Sequence, residues 1–356
     1  MSRENNDMAY IAEITHLVPI RDADAIEKAV INAGWPVVVK KGEFNVGDLV
    51  VYFEIDSWVP TEIAPFLSKG KEPREYNGVK GEKLRNIKLR GCRSQGLVLP
   101  LSILGDGCGS GYDEPYDFSP IQKVKGERVG DLLGVQKWEA PEGFSSGNSK
   151  GNFPSAVPKT DAQRIQNLAH ELKFWIEQGY TFEASEKLHG TSFTALQIDV
   201  EFGVCSRNLL LQEGEGTYWS AAVKYGLKEK LAALGRNIAI QGEIIGPGIL
   251  GNQYGRTESE LWVFNMFDID KKGYLSPDER LELVAQLGLN SVPIIDANFS
   301  LVDVDGIEKT VQTILQYAEG KSLLNGSERE GVVFKCIQDP SIQFKAVSDV
   351  WLDKEK

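Results

Sequence analysis

The stretch of the chain with the most evident chemical potential is residues 182–193, which read F-E-A-S-E-K-L-H-G-T-S-F. Lys187 follows an apolar run and precedes Gly190, so it stands where a strand would meet a tight turn. A free lysine amine has a pKa near 10.4, so about one in a few thousand is the neutral nucleophile at pH 7. Because desolvation and a neighbouring cation each lower such a pKa, we expect Lys187 to be a buried, activated amine.

The K-x-x-G spacing alone does not single out Lys187, because it also occurs at Lys88 and Lys123. What distinguishes Lys187 is a series of downstream apolar segments that carry carboxylates, cations and aromatic rings. These segments are Ser206–Asn208, Gln241–Gly246, Trp262–Asp268, Glu330–Lys335 and Gln343–Lys345. Each segment alone is typical of solvated strand ends or core packing. The ordered set instead predicts a site in which these groups converge on one amine.

In this order the segments resemble the motifs of the covalent nucleotidyltransferases, the superfamily of ATP-dependent DNA and RNA ligases and mRNA capping enzymes. The resemblance covers most of residues 160–351. Within that superfamily, S-E-K-L-H-G-T-S at 185–192 is similar to RNA ligases of the ligase 2 type, where histidine often replaces the aspartate of K-x-D-G. G-D-L-V-V-Y-F-E-I-D-S at 47–57 and R-G-C-R-S-Q-G-L-V-L-P at 90–100 are similar to the subgroup with an OB-like module ahead of the transferase.

The resemblance implies an ATP-dependent RNA ligase for RNA repair. Lys187 would attack the α-phosphorus of ATP to form a lysyl-AMP, AMP would move to an RNA 5′-phosphate, and a 3′-hydroxyl would displace it. Phosphoryl-group transfer is mainly positioning and charge neutralisation, which calls for a divalent metal and cations facing the phosphates. The implied cofactors are therefore ATP and Mg²⁺ or Mn²⁺. The implied partner is RNA with nicked or broken ends that carry a 5′-phosphate and a 3′-OH.

The same resemblance implies binding roles for the carboxylates and cations of the later motifs. Glu330 would bind the metal and orient Lys187, and Glu243 would bind the metal or the ribose hydroxyl. Arg207 and Lys345 would face phosphate, which suits the arginine fork.

The last motif departs from the family pattern, which usually carries two lysines as K-x-K, because its first position here is Gln343. Phosphate neutralisation would then rest on Lys345, helped by Lys335.

The remaining nucleotide-binding residues follow from the same motifs. Phe267 is our choice for the stack on adenine, with Phe264 as the alternative, and a spacing of three residues predicts opposite strand faces for the two rings. The backbone near Glu186 would read the adenine edge, and Gly190 would allow close approach of the nucleotide. For His189, a nucleotide contact and a plain hydrogen bond to the turn both remain open.

A basic stretch at residues 80–93 is a candidate for tracking RNA phosphates. The equally ordinary reading is the solvated face of a β-hairpin. The candidate RNA-binding residues are Lys83, Arg85, Lys88, Arg90 and Arg93.

The pattern of elements predicts an α+β protein. Short alternating strands predict an N-terminal β-barrel (OB-like) domain at residues 1–104, followed by a partly ordered linker at 105–159. Residues 160–356 would form a mixed α/β nucleotidyltransferase domain. Its first element would be a helix capped by Thr160 or Asp161 and ended by Gly179.

Residues 268–279 mimic a calcium-binding loop, but Lys272 at the fifth position would repel the ion. Ser276 and Glu279 instead predict a helix capping box, with Pro277 in the first turn.

Composition limits the class of protein. The net charge of −12 and the pI near 5.0 argue against bulk electrostatic coating of nucleic acid. No apolar run reaches the roughly 20 residues of a membrane helix, and the four dispersed cysteines, without C-x-x-C spacing, favour reduced thiols over disulfides or zinc. We therefore expect a cytoplasmic protein without a membrane segment. Protein partners and the oligomeric state stay open at this point.

Three alternatives remain. An RNA-binding adaptor with an inactive transferase domain would account for Gln343. A capping enzyme would use the same lysine chemistry with GTP, but it requires a further C-terminal module, which we do not expect after Lys345. A DNA ligase is disfavoured because K-L-H-G is unlike K-x-D-G.

Overall fold

This computed structural model describes residues 7–32, 34–105, 124–138 and 149–353. The chain divides into two compact units, Met1–Pro141 and Glu142–Lys356. Residues 124–138 belong to the first unit and residues 149–159 to the second, and a domain division at residues 104 and 159 remains a prediction. Cys108 lies outside the described residues, whereas Cys92, Cys205 and Cys336 are free thiols.

The described part of the first unit is built from strands and two short 3₁₀ helices, Pro65–Ser68 and Leu101–Leu104. Its strands are β1 (Ala9–Pro19), β2 (Ile26–Ile31), β3 (Pro36–Lys40), β4 (Leu49–Phe53), β5 (Ser57–Pro60), β6 (Arg74–Tyr76), β7 (Val79–Lys83), β8 (Ile87–Leu89), β9 (Cys92–Ser94), β10 (Leu97–Pro100) and β11 (Gln136–Lys137). They form a five-stranded sheet in the order β10-β4-β1-β2-β3, a four-stranded sheet in the order β11-β5-β7-β6, and the hairpin β8-β9.

The long strand β1 gives this unit its curvature. Its first half pairs with β4 and its second half with β2, with a bulge between Ile14 and His16. Alternate side chains then point inward, and Ile11, Val51 and Phe53 are fully buried in one core.

The second unit contains two sheets, which we call the large sheet and the small sheet. The large sheet has the order β12-β17-β16-β15-β18-β19-β20, with β21 paired to β19, and the small sheet has the order β13-β24-β23-β14-β22. The strands are β12 (Ser149–Asn152), β13 (Gln163–Arg164), β14 (Thr181–Lys187), β15 (Thr191–Ile198), β16 (Glu201–Cys205), β17 (Leu209–Leu211), β18 (Ile238–Ile245), β19 (Glu260–Asp268), β20 (Gly273–Tyr274), β21 (Asn290–Ser291), β22 (Ile294–Ser300), β23 (Gly331–Cys336) and β24 (Gln343–Val347).

Helices cover one face of each sheet in this unit. They are α1 (Ala169–Glu177), α2 (Thr217–Lys224), α3 (Leu227–Ala233), α4 (Pro277–Gln286), α5 (Val311–Ala318) and α6 (Asp349–Leu352), with 3₁₀ turns at Ile165–Leu168 and Leu250–Asn252. Apolar residues of α2, α3 and α4 share a core with the large sheet, and those of α1 and α5 share a core with the small sheet. The α+β class and the mixed character of this region are confirmed.

Apolar segments after residue 179 predict six strands, and all six are present with ends within one residue of the prediction. The predicted ranges are 180–186, 192–198, 238–245, 261–269, 331–337 and 342–347. The capping box at α4 is also confirmed, since Ser276 and Glu279 bond reciprocally and Pro277 opens the helix. In the described part of the chain, no helix is long and apolar enough to cross a membrane.

The helix predicted to begin at Thr160 or Asp161 starts later. Ile165–Leu168 is a 3₁₀ turn, and α1 begins only at Ala169. Gln163 and Arg164 instead pair in parallel with β24. The apolar residues at helical spacing are buried on the 3₁₀ turn and α1. Gln163 and Arg164, which precede them, form a strand instead of helix.

Candidate active site

Lys187 is the last residue of β14, and the pairing of that strand defines its surroundings. Lys187 lies opposite Gly331, the first residue of β23, so Glu330, which immediately precedes that strand, lies beside it. The amine of Lys187 lies 2.5 Å from Glu330 Oε1. A Cβ on Gly331 would lie 2.2 Å from the carbonyl oxygen of Ala346, so only glycine allows β24 to pack this closely.

Glu243 approaches the same amine from the large sheet. It lies on β18 opposite Ser192 of β15, and its carboxylate accepts a hydrogen bond from the backbone N–H of Gly190. A Cβ at Gly190 would lie 2.3 Å from the carbonyl oxygen of Ile244 and 2.9 Å from the Glu243 side chain. Glycine is therefore required where the chain crosses from the small sheet to the large sheet.

His189 lies in this crossing and contacts the protein on three sides. Its Nδ1 is 3.3 Å from Glu330 Oε2, and its backbone N–H donates to the Tyr254 hydroxyl at 2.8 Å. Its ring packs edge-on against Trp351, with centroids 4.9 Å apart. The structure thus gives His189 a role in holding Glu330, while a nucleotide contact remains a prediction.

The charges in this cluster shift the pKa of each group. Burial favours neutral Glu330, but Lys187 and His189 outweigh it and lower the pKa of that carboxyl to about 2. Burial, with a contribution from Glu330, raises the pKa of Glu243 to about 7. For Lys187, burial lowers the pKa, but Glu330 and Glu243 together raise it above its ordinary value. The expected lowered pKa of Lys187 is therefore wrong, because the two carboxylates stabilise the charged amine more than burial destabilises it.

The carboxylates of Glu330 and Glu243 fit a divalent cation bound together with substrate. Within residues 7–32, 34–105, 124–138 and 149–353, no group of three or more His, Cys, Asp or Glu side chains could hold a metal by itself. Mg²⁺ commonly takes one or two carboxylates and completes its shell with phosphate oxygens and water. Burial is the main cause of the raised pKa of Glu243, and a cation bound there would stabilise the charged carboxylate. Bound there, the cation would supply neutralisation of phosphate charge.

The two cations assigned to phosphate come from different sheets and meet at one carboxylate. Lys345 lies on β24 and Arg207 follows β16, and they contact Asp161 at 3.2 Å and 3.1 Å respectively. Burial lowers the pKa of Lys345 to about 8, although Asp161 opposes the shift.

Gln343 and Lys335 are engaged elsewhere. Gln343 Oε1 accepts from Asn265 Nδ2 at 3.1 Å. Lys335 is buried and donates to the carbonyl oxygen of Phe264. Burial and the nearby Arg280 hold the pKa of Lys335 well below its ordinary value. The structure thus places Lys335 between the sheets rather than against Lys345, so its help with phosphate remains a prediction.

The prediction that Phe264 and Phe267 occupy opposite strand faces is wrong. A β-bulge at Phe264 interrupts the pairing of β19 with β18. Phe267 lies opposite Ala239, and Trp262, which packs in one cluster with Phe264, lies opposite Glu243. Both rings are therefore on the Glu243 face. Phe267 is only 7% exposed, whereas Phe264 is partly exposed.

The side chain of Glu186 points away from Lys187, as strand alternation requires. Its Oε2 accepts from the backbone N–H of Leu323 at 2.8 Å, and burial raises its pKa. Its backbone N–H donates to the carbonyl oxygen of Pro293. Glu186 therefore ties the loop at 322–323 to the site, and recognition of adenine by its backbone remains a prediction.

The basic residues proposed for RNA lie in the first unit and differ in their surroundings. Lys83 is paired with Asp56 at 2.9 Å and its amine lies 3.7 Å from the ring centre of Trp138. Arg85, Lys88 and Arg90 are exposed on and beside the hairpin β8-β9, and Arg93 is partly exposed on β9.

Several residues of the site carried no sequence signal. The pattern at Asp161 indicates a helix cap rather than a site residue, and Tyr254 and Trp351 lie in segments without a motif. Glu183 and Arg280, which form a buried pair between the sheets at 2.5 Å, are 97 residues apart. Only the fold brings these residues together.

The fold and site together define a nucleotidyltransferase domain of the ligase class preceded by an OB-fold domain. A family model described as RNA ligase matches residues 181–350, and a model described as an OB-fold domain matches residues 8–101. The chain is 37% identical to Naegleria gruberi RNA ligase solved with PPi, with a TM-score of 0.81 and 98% of each chain covered.

Variants of that Naegleria ligase match as well. One was solved with ATP and Mn (37% identity, TM-score 0.81) and one with AMP and Mn (37% identity, TM-score 0.82), each covering 98% of this chain and 99% of the other. A comparison with curated proteins found no match. The chain belongs to the RNA ligase family.

Proposed function

We propose that this protein is an ATP-dependent RNA ligase that joins RNA 3′-OH and 5′-phosphate ends through a lysyl-AMP and an RNA-adenylate. The observation that carries the proposal is the amine of Lys187 held 2.5 Å from Glu330, with Glu243 close enough to perturb its pKa. The similarity to a ligase solved with ATP and Mn supports ATP and a divalent metal, Mn²⁺ or Mg²⁺, as cofactors.

In the first step, the Lys187 ammonium loses a proton to water, and the neutral amine forms a bond between Nζ and the α-phosphorus of ATP while the bond to the bridging oxygen breaks and pyrophosphate leaves. The second amine proton, lost as the N–P bond forms, also passes to water. The Glu330 carboxyl, with a pKa of about 2, is too weak a base to keep the amine proton at neutral pH. Its role is therefore to orient the amine. Arg207 and Lys345 face the phosphates, and Phe267, or Phe264 in the alternative, stacks on adenine.

In the later steps, an oxygen of the RNA 5′-phosphate attacks the AMP phosphorus and releases Lys187. The RNA 3′-hydroxyl then attacks the activated 5′-phosphate and AMP leaves. The RNA partner therefore carries nicked or broken ends, and the exposed basic residues of the first unit would contact its backbone. Reduced thiols at Cys92, Cys205 and Cys336 support a cytoplasmic location.

The first test is covalent labelling by ATP labelled at the α-phosphate in the presence of Mg²⁺ or Mn²⁺. We expect label that persists on a denaturing gel for the wild type and is lost in Lys187→Ala. Lys173→Ala is a matched control, because Lys173 is 80% exposed on α1. Sealing of RNA and DNA nicks would then define the substrate.

Other outcomes would point to other functions. Label from GTP instead of ATP would indicate capping chemistry, and sealing of DNA alone would indicate a DNA ligase. A folded protein that takes no label but binds RNA would contradict the ligase proposal and favour an adaptor.

A further inference from the structure

Residues 153–164, which we call the strap, cross between the two sheets of the second unit. Gln241 of the large sheet donates to the carbonyl oxygen of Pro158 at 2.7 Å, and the hydroxyls of Thr160 and Ser192 lie 2.7 Å apart. The end of the strap is β13, which pairs with β24 of the small sheet. The strap is thus anchored to both sheets, and Asp161 lies between the two anchors.

Asp161 connects the two cations assigned to phosphate. Its Oδ2 is 3.1 Å from Arg207 Nη2, and its Oδ1 is 3.2 Å from Lys345 Nζ. The side chains of Asp161 and Lys345 are 21% and 20% exposed, and that of Arg207 is 47% exposed. All three groups are therefore within reach of a ligand.

A carboxylate presents two oxygens to cations much as a phosphate does. The two oxygens of Asp161 each contact one of the cations, as two oxygens of a phosphate could do. Partly exposed ion pairs are weak, so a phosphate with more charge can displace the carboxylate. When the phosphate leaves, Asp161 can pair with Arg207 and Lys345 again, and this favours dissociation of the phosphate over its binding.

We propose that Asp161 competes with phosphate for Arg207 and Lys345, weakening phosphate binding so that a released phosphate group departs readily. The inference rests on the proposed function for its role in turnover. The ligand is a phosphate oxyanion, which ATP, pyrophosphate and the RNA 5′-phosphate all carry. Asp161 is thus a positioning residue that acts on substrate through the two cations.

The test measures binding in a Lys187→Ala background, so that no covalent chemistry occurs. Dissociation constants are compared with and without Asp161→Asn for pyrophosphate, for ATP, and for RNA with a 5′-phosphate or a 5′-OH. We expect Asp161→Asn to tighten binding of the phosphate ligands by about two- to tenfold, and to leave 5′-OH RNA unchanged. If only pyrophosphate and ATP bind more tightly, the triphosphate of ATP is the ligand that competes with Asp161. If only 5′-phosphate RNA binds more tightly, the RNA 5′ end is that ligand.

Two controls separate competition from scaffolding. Glu201→Gln removes one exposed negative charge at the far end of β16, about 13 Å from Cys205, and should change nothing. Asp161→Glu keeps the charge and should bind phosphate ligands as weakly as wild type. If Asp161 only scaffolds the cations, Asp161→Asn will bind phosphate ligands more weakly, which would overturn the proposal, as would unchanged binding.

This measurement is independent of the labelling test. If Lys187 takes no label but Asp161→Asn still tightens phosphate binding, the ligase function is rejected and the competition stands. Labelling of Lys187 with unchanged phosphate binding in Asp161→Asn would reject the competition alone. In otherwise wild-type protein, Asp161→Asn should also strengthen product inhibition by pyrophosphate about two- to tenfold if the triphosphate is the ligand.

Discussion

At the scale of residues, the site is defined by an imbalance of charge. One amine, Lys187, faces two carboxylates, and the nearest pair, with Glu330, is 2.5 Å apart. Glu330 takes the favourable position and its pKa falls to about 2, whereas the pKa of Glu243 rises to about 7. Burial is the main cause of the rise at Glu243, with a smaller contribution from Glu330, and binding of a cation would stabilise the charged carboxylate.

This charge predicts a pH-dependent effect of Glu243→Gln on stability. The folded-state pKa of about 7 lies above the ordinary value of 4.5, so between these values the folded protein binds a proton that the unfolded chain has lost. The contribution of Glu243 to the free energy of unfolding therefore falls as pH rises through this window. In urea unfolding, Glu243→Gln should be more stable than wild type by about 1–3 kcal/mol at pH 8.

The gain from Glu243→Gln should shrink toward zero as pH approaches 4.5. Lys187 labelling should be strongly reduced in the same variant, because one proposed metal ligand is gone. Glu201→Gln, an exposed change, should show neither effect. An equal gain at pH 5 and pH 8 would contradict the assignment of a raised pKa to Glu243.

Sequence motifs identified the residues that lie on strand ends. Lys187, Glu243 and Glu330 meet because each stands at a predictable place in the register of its strand. Local patterns could not predict Asp161, whose helix-cap signature was overridden by strand pairing and by two cations. Nor could they predict the bulge at Phe264, because the strand period of two assumes an uninterrupted ladder.

At the scale of elements, polar contacts join the two sheets that carry the site. Arg280 of α4 bonds Glu183 of β14 at 2.5 Å, and both side chains are 2% exposed. Lys335 of β23 donates to the carbonyl oxygen of Phe264 on β19. Because β14 ends in Lys187, the Arg280–Glu183 pair fixes the strand that presents the nucleophile.

Arg280→Ala should therefore destabilise the second unit. It leaves the Glu183 carboxylate buried without its cation, which typically costs about 3–5 kcal/mol. Lys335 can offset part of this loss, because removal of Arg280 relieves one cause of its lowered pKa. We expect a loss near 3 kcal/mol in the free energy of urea unfolding.

A double variant tests whether the pair acts as a unit. Arg280→Met with Glu183→Gln removes both charges together, so it should be more stable than Arg280→Ala. If the losses of unfolding free energy in Arg280→Met and in Glu183→Gln add up to the loss in the double variant, the pair is not coupled.

At the scale of the whole molecule, the chain is acidic and yet carries a local basic surface. The net charge of −12 opposes general binding to RNA, so contacts must come from particular groups. Arg85, Lys88 and Arg90 are exposed on and beside the hairpin β8-β9, whose Ile87 and Leu89 are 49% and 38% exposed. The sequence identified this basic stretch, and the structure shows that Lys83 within it pairs with Asp56.

Replacement of Arg85, Lys88 and Arg90 by alanine should weaken RNA binding without changing self-labelling of Lys187, because the labelling site is formed by residues 161–351 of the second unit. Each lost phosphate contact lowers the slope of log K against log salt by about 0.7 for single strands, so three contacts predict a decrease of about 2. The measurement is RNA affinity over a range of salt concentrations.

The control is replacement of the exposed Lys40, Lys41 and Lys69 by alanine, which removes the same charge from the same unit. If both triple variants change the slope equally, the hairpin has no special part in binding RNA; if only the hairpin variant does, the acidic chain holds RNA through this surface.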